Sequence, residues 1–179
     1  MKRRYSWILA AVGIIVLLAV CLWLVTRPYG AIREVREEFG IMLPVTAKLC
    51  DSAGDYSPSQ EGERTGSMVR AFALTEGQML EAKRTALAHD WRELPLPDET
   101  IQKVFEEKNA ELAELIPWMI KEGLYMVKPT RDAGANRVNG DESVQAYLAE
   151  RDSAGDVTSL CLGMLDTAEN KLYLIKFDL

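Results

Sequence analysis

The sequence predicts an α+β domain on an N-terminal transmembrane helix. Three observations predict it: an uncharged apolar run from Tyr5 to Val25, short strand-like runs alternating with helical patterns, and a clear C-terminal hairpin. The expected sheet has about five strands, is mostly antiparallel, and carries helices 75–88 and 99–116 on one face.

The apolar run comes first. Its 21 residues would make roughly 31 Å of helix, against a hydrocarbon core of about 30 Å. Tyr5, Trp7 and Trp23 lie near its ends, where rings sit at headgroup depth, and Arg27 and Pro28 stop it. A cleaved secretory signal has a shorter apolar region followed by small residues; Leu24 to Ala31 offers no such site. Cys21 follows Val20 and precedes more apolar chain, which argues against a lipoprotein signal. Lys2, Arg3 and Arg4 hold the tail of residues 1–4 in the cytoplasm and place the C-terminal domain outside. The lipid bilayer is thus the first expected partner, through Tyr5–Val25.

Lys2, Arg3 and Arg4 account for three of the 21 Lys and Arg, and no Asp or Glu precedes Thr26. The remainder therefore carries 18 basic and 27 acidic side chains, net −9. That balance argues against nucleic acid as a partner.

Residues 26–42 form a juxtamembrane helix and linker. Ile32, Val35, Arg36 and Phe39 share a face, Glu34, Glu37 and Glu38 lie elsewhere, and Gly40 ends the helix. The domain proper spans 43–179. Residues 43–50 read as a first strand, and Asp51 to Pro58 as turn chemistry throughout, with the loop running to about Gly66. Ser67–Leu74 reads as a second strand, in which Met68, Phe72 and Leu74 share one parity with Arg70. Thr75 and Gln78 have capping-box spacing, opening a helix to about Ala88.

Pro95 and Pro97 keep 90–97 extended. Asp98 caps a helix whose buried stripe is Ile101, Val104, Phe105, Leu112, Leu115 and Ile116; Pro117 breaks it. Leu124–Lys128 is a third strand, and a short helix at about 142–150 interrupts the polar stretch 130–156. The hairpin pairs 157–165 with 171–177 across a five-residue loop, with Tyr173, Ile175, Phe177 and Leu179 toward the core and Lys176 and Asp178 on the other parity.

The order Asp51-Ser52-x-Gly54-x-Tyr56, Trp91-x-x-Leu94-Pro95-Leu96-Pro97, Ile116-Pro117-x-x-Ile120-x-x-Gly123-x-Tyr125 and Leu165-Asp166-Thr167…Leu172-Tyr173-x-x-x-Phe177-Asp178 resembles a group of small uncharacterised membrane-anchored or lipoprotein-like proteins of Gram-positive bacteria. The likeness covers roughly 43–179. The group typically carries a D-x-H-G-G-F-like turn. Here Ala53 replaces its His and Asp55 a Gly, so a site built on that His would be absent. The resemblance implies architecture and location and carries no established activity.

Candidate chemistry is sparse. His89 is the single histidine and sits near a helix end, where a ring suits the dipole. No metal-ligand spacing, nucleophile elbow or phosphate loop appears, and no cofactor is expected. Asp132, Asp141 and Glu142 lack calcium-loop spacing. Cys50 and Cys161 are a candidate disulfide in an oxidising compartment, against the reading of two buried thiols. The expected function is a non-catalytic module that binds a membrane or envelope protein or a ligand. Asp51, Asp55 and Tyr56 are its candidate contact residues. The alternatives are an enzyme of unrecognised type using the Asp51–Tyr56 turn, and a cytoplasm-facing accessory subunit of a membrane complex.

Overall fold

A computed structural model describes residues 13–18, 29–58, 64–96, 100–128 and 159–178. Within the expected apolar span, residues 13–18 are helical; the rest of 5–25, Cys21 included, lies outside the described residues. Among the described residues no helix is long and apolar enough to cross a membrane.

The juxtamembrane helix is α1, residues 29–39. It buries Ile32, Val35 and Phe39 as expected and leaves Arg36 exposed. Gly40 ends it with φ +70°, and its N–H donates to the Arg36 carbonyl at 2.9 Å. A left-handed residue there satisfies a carbonyl that the helix end would orphan.

The first strand is displaced from its expected position, whereas the second stands where expected and begins three residues earlier. Residues 41–47 form a loop, and β1 is Lys48–Pro58, which keeps the end of the expected strand and adds Asp51 to Pro58, the stretch expected to be a turn. β2 is Arg64–Ala73. Turn residues survive inside β1 through two irregularities. The pairing with β2 shifts between Leu49 and Asp51, which leaves Cys50 as a bulge, and Gly54 takes φ +83°. A Cβ at Gly54 would stand 2.1 Å from the Ser67 carbonyl oxygen, so backbone approach, not a reversal, demands the glycine.

α2 is Glu76–Leu87, with the expected capping box at Thr75 and Gln78. It buries Met79, Ala82 and Ala86 and exposes Leu80 and Leu87. The extended Pro-containing segment supplies a two-residue strand absent from the sequence expectation, β3 Arg92–Glu93. The single helix expected over 99–116 is two: α3 Thr100–Lys108 and α4 Ala110–Ala113, broken where Asn109 leaves helical geometry at φ −148°. Phe105 and Ile116 are buried as expected, but Leu115 is 38% exposed. The side chains of Ile101 and Val104, the Asp98 cap, the 142–150 helix and residues Asp132, Asp141 and Glu142 lie outside the described residues. β4 is Gly123–Lys128, β5 Ser159–Asp166 and β6 Lys171–Asp178. The closing hairpin has one residue fewer in its loop than expected, because Asp166 pairs with Lys171. Asp166 then accepts hydrogen bonds from the Ala168 and Glu169 N–H groups, which tightens the turn.

The sheet has six strands in the order β1-β2-β6-β5-β4-β3, antiparallel at every step. The expectation of helices on one face is wrong. α1 and α2 cover one face with Ile32, Val35, Phe39, Met79 and Ala86 against Phe72, Leu165, Leu172 and Leu174. Phe105, Ala113, Ile116 and Ile120, from α3, α4 and the following turn, cover the other, against Leu160, Leu162, Ile175 and Phe177. The reason lies in β5 and β6, where both parities are apolar and buried. A strand apolar on both sides must be covered on both sides. By the same token Lys176 and Asp178, expected on the outward parity, are 1% and 2% exposed.

Candidate functional site

The largest cluster of ion pairs packed into the fold, built around the buried Lys176, lies where α1 crosses the sheet. Glu34 and Glu38 are one helical turn apart and point down onto the strands. β2 offers Arg70, β6 offers Lys176 and β4 offers Lys128. Lys176 Nζ lies 2.7 Å from Glu34 Oε1 and 2.5 Å from Glu38 Oε1. Lys128 Nζ lies 2.5 Å from Glu38 Oε2, and Arg70 Nη1 donates to Glu34 Oε2. Helix α1 supplies the two anions and the sheet supplies the three cations, so the network bridges two layers instead of closing within one.

Register brings the sheet groups together. Met68, Lys176, Cys161 and Lys128 face one another across four adjacent strands. Two aromatic rings also border the network. Lys176 Nζ sits 5.0 Å from the centre of the Tyr56 ring, and Lys128 Nζ 5.9 Å from that of Phe39. Such placement of a desolvated ammonium over a ring face is favourable by about 1–2 kcal/mol. Tyr56 O–H donates to Asp178 Oδ2 at 3.5 Å.

The charge states follow from these contacts. Burial alone would raise Glu38, but the hydrogen bonds and charges of Lys128 and Lys176 outweigh it and hold the carboxyl below its ordinary value. Burial likewise opposes the Lys176 charge. The Cys161 sulfur, then Glu34 and Glu38, are set against it, and the ammonium is held above its ordinary value. Burial pushes the Cys161 thiol up, with the Glu38 charge adding to it, so the sulfur stays protonated and the carboxylates hold Lys176. Tyr173, on the other face, is pushed up to about 12 by burial and then by Asp166. Each of these shifts moves a pKa further from the physiological range and so fixes its group in one protonation state. A clamp needs that; a general acid or base needs the opposite.

The helix is also pinned at its C-terminus. His89 donates from Nδ1 to the Thr85 carbonyl at 2.7 Å, and its ring packs against Gly40, where a Cβ would stand 2.9 Å from Cδ2. Phe39 meets Trp91 edge-on at 5.4 Å, and both rings fill the space above Gly163.

The residues proposed from sequence are dispersed. Opposed residues in a sheet share a face. Asp51 and Asp55 pair with Ala71 and Ser67, on the α3/α4 face. Tyr56 turns to the α1 face and joins the ion network. The disulfide between Cys50 and Cys161 does not form; both are free thiols. Cys50 belongs to β1 and Cys161 to β5, three strand spacings apart. That is about 14 Å, against a limit of about 7 Å for a bridge. Cys161 is buried as the competing reading had it, but Cys50 is exposed and donates its S–H to the Ala71 carbonyl. Among the described residues no three His, Cys, Asp or Glu side chains converge as metal ligands.

Glu34, Glu38, Arg70, Lys128 and Lys176 were not singled out from sequence. Two signals were present, the first being that Arg70 shares a parity with Met68, Phe72 and Leu74, and a charge on a core parity needs a buried partner. Lys176, inside the run Tyr173 to Phe177, is the second such signal. No family model, curated protein or solved structure matches the chain.

Proposed function

We propose that the chain is a single-pass membrane protein whose domain is a non-catalytic binding module at the outer face of the cytoplasmic membrane. The observation that carries this reading is residues 13–18. They are helical, and Ile14 through Leu18 are each 55–64% exposed. Five consecutive residues at about 100° each sweep the whole circumference of a helix, so no side of it is polar. A bilayer accepts such a surface and water does not.

α1 supports the position of the domain. Only residues 26–28 separate the end of the apolar run from its start. Three residues reach at most about 10 Å. Because α1 is bound to the sheet by buried ion pairs, the domain is held against the bilayer surface and not on a long stalk. Lys2, Arg3 and Arg4 favour an inner N-terminus, hence an outer domain. The resemblance to the Gram-positive group agrees with this location. The strand Lys48–Pro58, with Asp51, Ser52 and Asp55 exposed, is the contact surface this reading favours. An enzyme built on Asp51, Asp55 and Tyr56 has less support, since two of these residues and the third lie on opposite faces of the sheet.

Two measurements test the reading. Carbonate washing of membranes should leave the full-length chain in the pellet, with an N-terminus upstream of Trp23. A reporter fused after Leu179 should be active only outside the cell. Release by carbonate would end the anchored reading, and an intracellular reporter signal would turn the module into a cytoplasmic accessory subunit.

A further inference from the structure

Among the described strands the sheet ends on β1, which pairs with β2 alone. Among the described residues nothing pairs with the other edge of its eleven residues, roughly 36 Å at about 3.3 Å per residue. The opposite edge, β3, has two residues. Lys48, Cys50, Asp51, Ser52, Gly54 and Asp55 are all exposed. A long open edge is either blunted or used, because its unpaired N–H and C=O groups template another strand.

A second copy of β1 can be set against the first, antiparallel and related by a two-fold axis. Opposed residues must share a face, so past the Cys50 bulge only residues of equal parity can meet. Registers centred on residues 51 to 55 satisfy that condition. Centring on Asp51 or on Asp55 opposes that carboxylate to itself, and centring on Ala53 opposes Asp51 to the second copy's Asp55. Centring on Gly54 creates no ion pair. Centring on Ser52 sets Asp51 against Ala53. With the bulge skipped on both strands, it then sets Leu49 against Gly54 and Lys48 against Asp55. The faces agree: Leu49 and Gly54 pair with Phe72 and Met68, on the α1 face, whereas Lys48 and Asp55 pair with Ala73 and Ser67, on the other. Of these registers, only the Ser52-centred one yields two Lys48–Asp55 pairs with no like charges opposed.

We infer that the chain binds a second copy of itself through β1 in this Ser52-centred register, joining two six-stranded sheets into one continuous sheet. The two-fold axis is perpendicular to the sheet, so both α1 layers lie on the same side. Two anchors in one bilayer require that, a point that rests on the anchored reading, although the register does not. Strand pairing alone is marginal in water. Confinement to a membrane raises the effective concentration of copies and favours it.

The test uses the full-length chain in detergent micelles. Ser52→Cys in a Cys50→Ser background should oxidise to a disulfide-linked dimer, because residue 52 meets itself on the axis; Asp55→Cys in the same background should not. Lys48→Asp should weaken dimerisation about tenfold at low salt, and adding Asp55→Lys should restore it. Circular dichroism confirms that each variant folds. A folded wild-type chain that stays monomeric would overturn the inference. So would Ser52→Cys linking no better than Asp55→Cys, or a double charge swap that fails to rescue. Capture of a different chain at position 52 in cells, in place of a second copy, would overturn it as well. Carbonate extraction reports the anchor and these measurements report the register, so either can fail alone.

Discussion

The two faces of the sheet bury similar aliphatic and aromatic side chains but are closed by different means. On the α3/α4 face the contacts are apolar, with Phe105 packed near Trp118 and Phe177 at ring distances of 6.0 and 6.3 Å. On the α1 face an ion network lies among the apolar contacts, tying Glu34 and Glu38 to Arg70, Lys128 and Lys176. Apolar packing tolerates a sliding helix; paired charges one turn apart do not. The contrast teaches that the helix nearest the proposed anchor is the one whose register is set by charge.

The largest effect should come from stripping the network of its anions. Glu34→Ala combined with Glu38→Ala leaves Lys176, 1% exposed, without a carboxylate. Urea denaturation should show a loss of at least about 3–5 kcal/mol. A loss under about 1 kcal/mol would show that the network is solvated and the contrast between faces unreal. On the other face, Phe105→Ala removes a ring that is 1% exposed, at a cost of about 3–5 kcal/mol. Salt should leave its cost unchanged and lower that of the glutamate pair only slightly, because buried pairs are screened far less than exposed ones.

Gly163→Ala is next. Its Cβ would stand 2.7 Å from Trp91 and 2.9 Å from Phe39, so overpacking should cost about 1–3 kcal/mol and shift the near-ultraviolet signal of Trp91. The smallest mutational effect should be Lys176→Met. It leaves Glu34 with Arg70 and Glu38 with Lys128, two complete pairs, so the expected loss is below about 1.5 kcal/mol. A loss equal to that of the double glutamate variant would contradict this account.

The pH profile sharpens the same contrast. Glu38 is held below its ordinary value of 4.5, so its contribution is full above that value and fades as pH falls through the lower folded one. Lys176 is held above 10.5, so its contribution is full below that value and fades as pH rises through the higher folded one. The denaturation midpoint of the wild type should therefore fall on the acid side, and Glu38→Gln should flatten that arm. An unchanged acid arm in Glu38→Gln would assign the slope to other carboxylates.

Local chemistry was legible wherever a few neighbouring residues decide the outcome. The Thr75–Gln78 capping box, the Gly40 helix end and the two strands of the closing hairpin stand where the residues placed them, whereas of the segment expected to be extended over 90–97 only Arg92–Glu93 is strand and Asp90 turns at φ +60°. β1 misled because Asp51, Ser52, Gly54 and Asp55 are turn residues by local preference, and pairing with β2 overrides that preference. The single-face arrangement fails because β6 is apolar on both parities, Leu172 and Leu174 being as buried as Tyr173 and Ile175.

By itself the sequence determined the continuous apolar run before the domain, the α+β class, and the helix and hairpin signals that depend on short-range sterics and hydrogen bonds. Tertiary structure alone decided which charges are buried and with whom. Lys176 meets Glu34 across 142 positions of chain, and no local pattern reports such a meeting. Burial of a side chain is a property of the layers above and below its strand, and those layers exist only once the strands have paired.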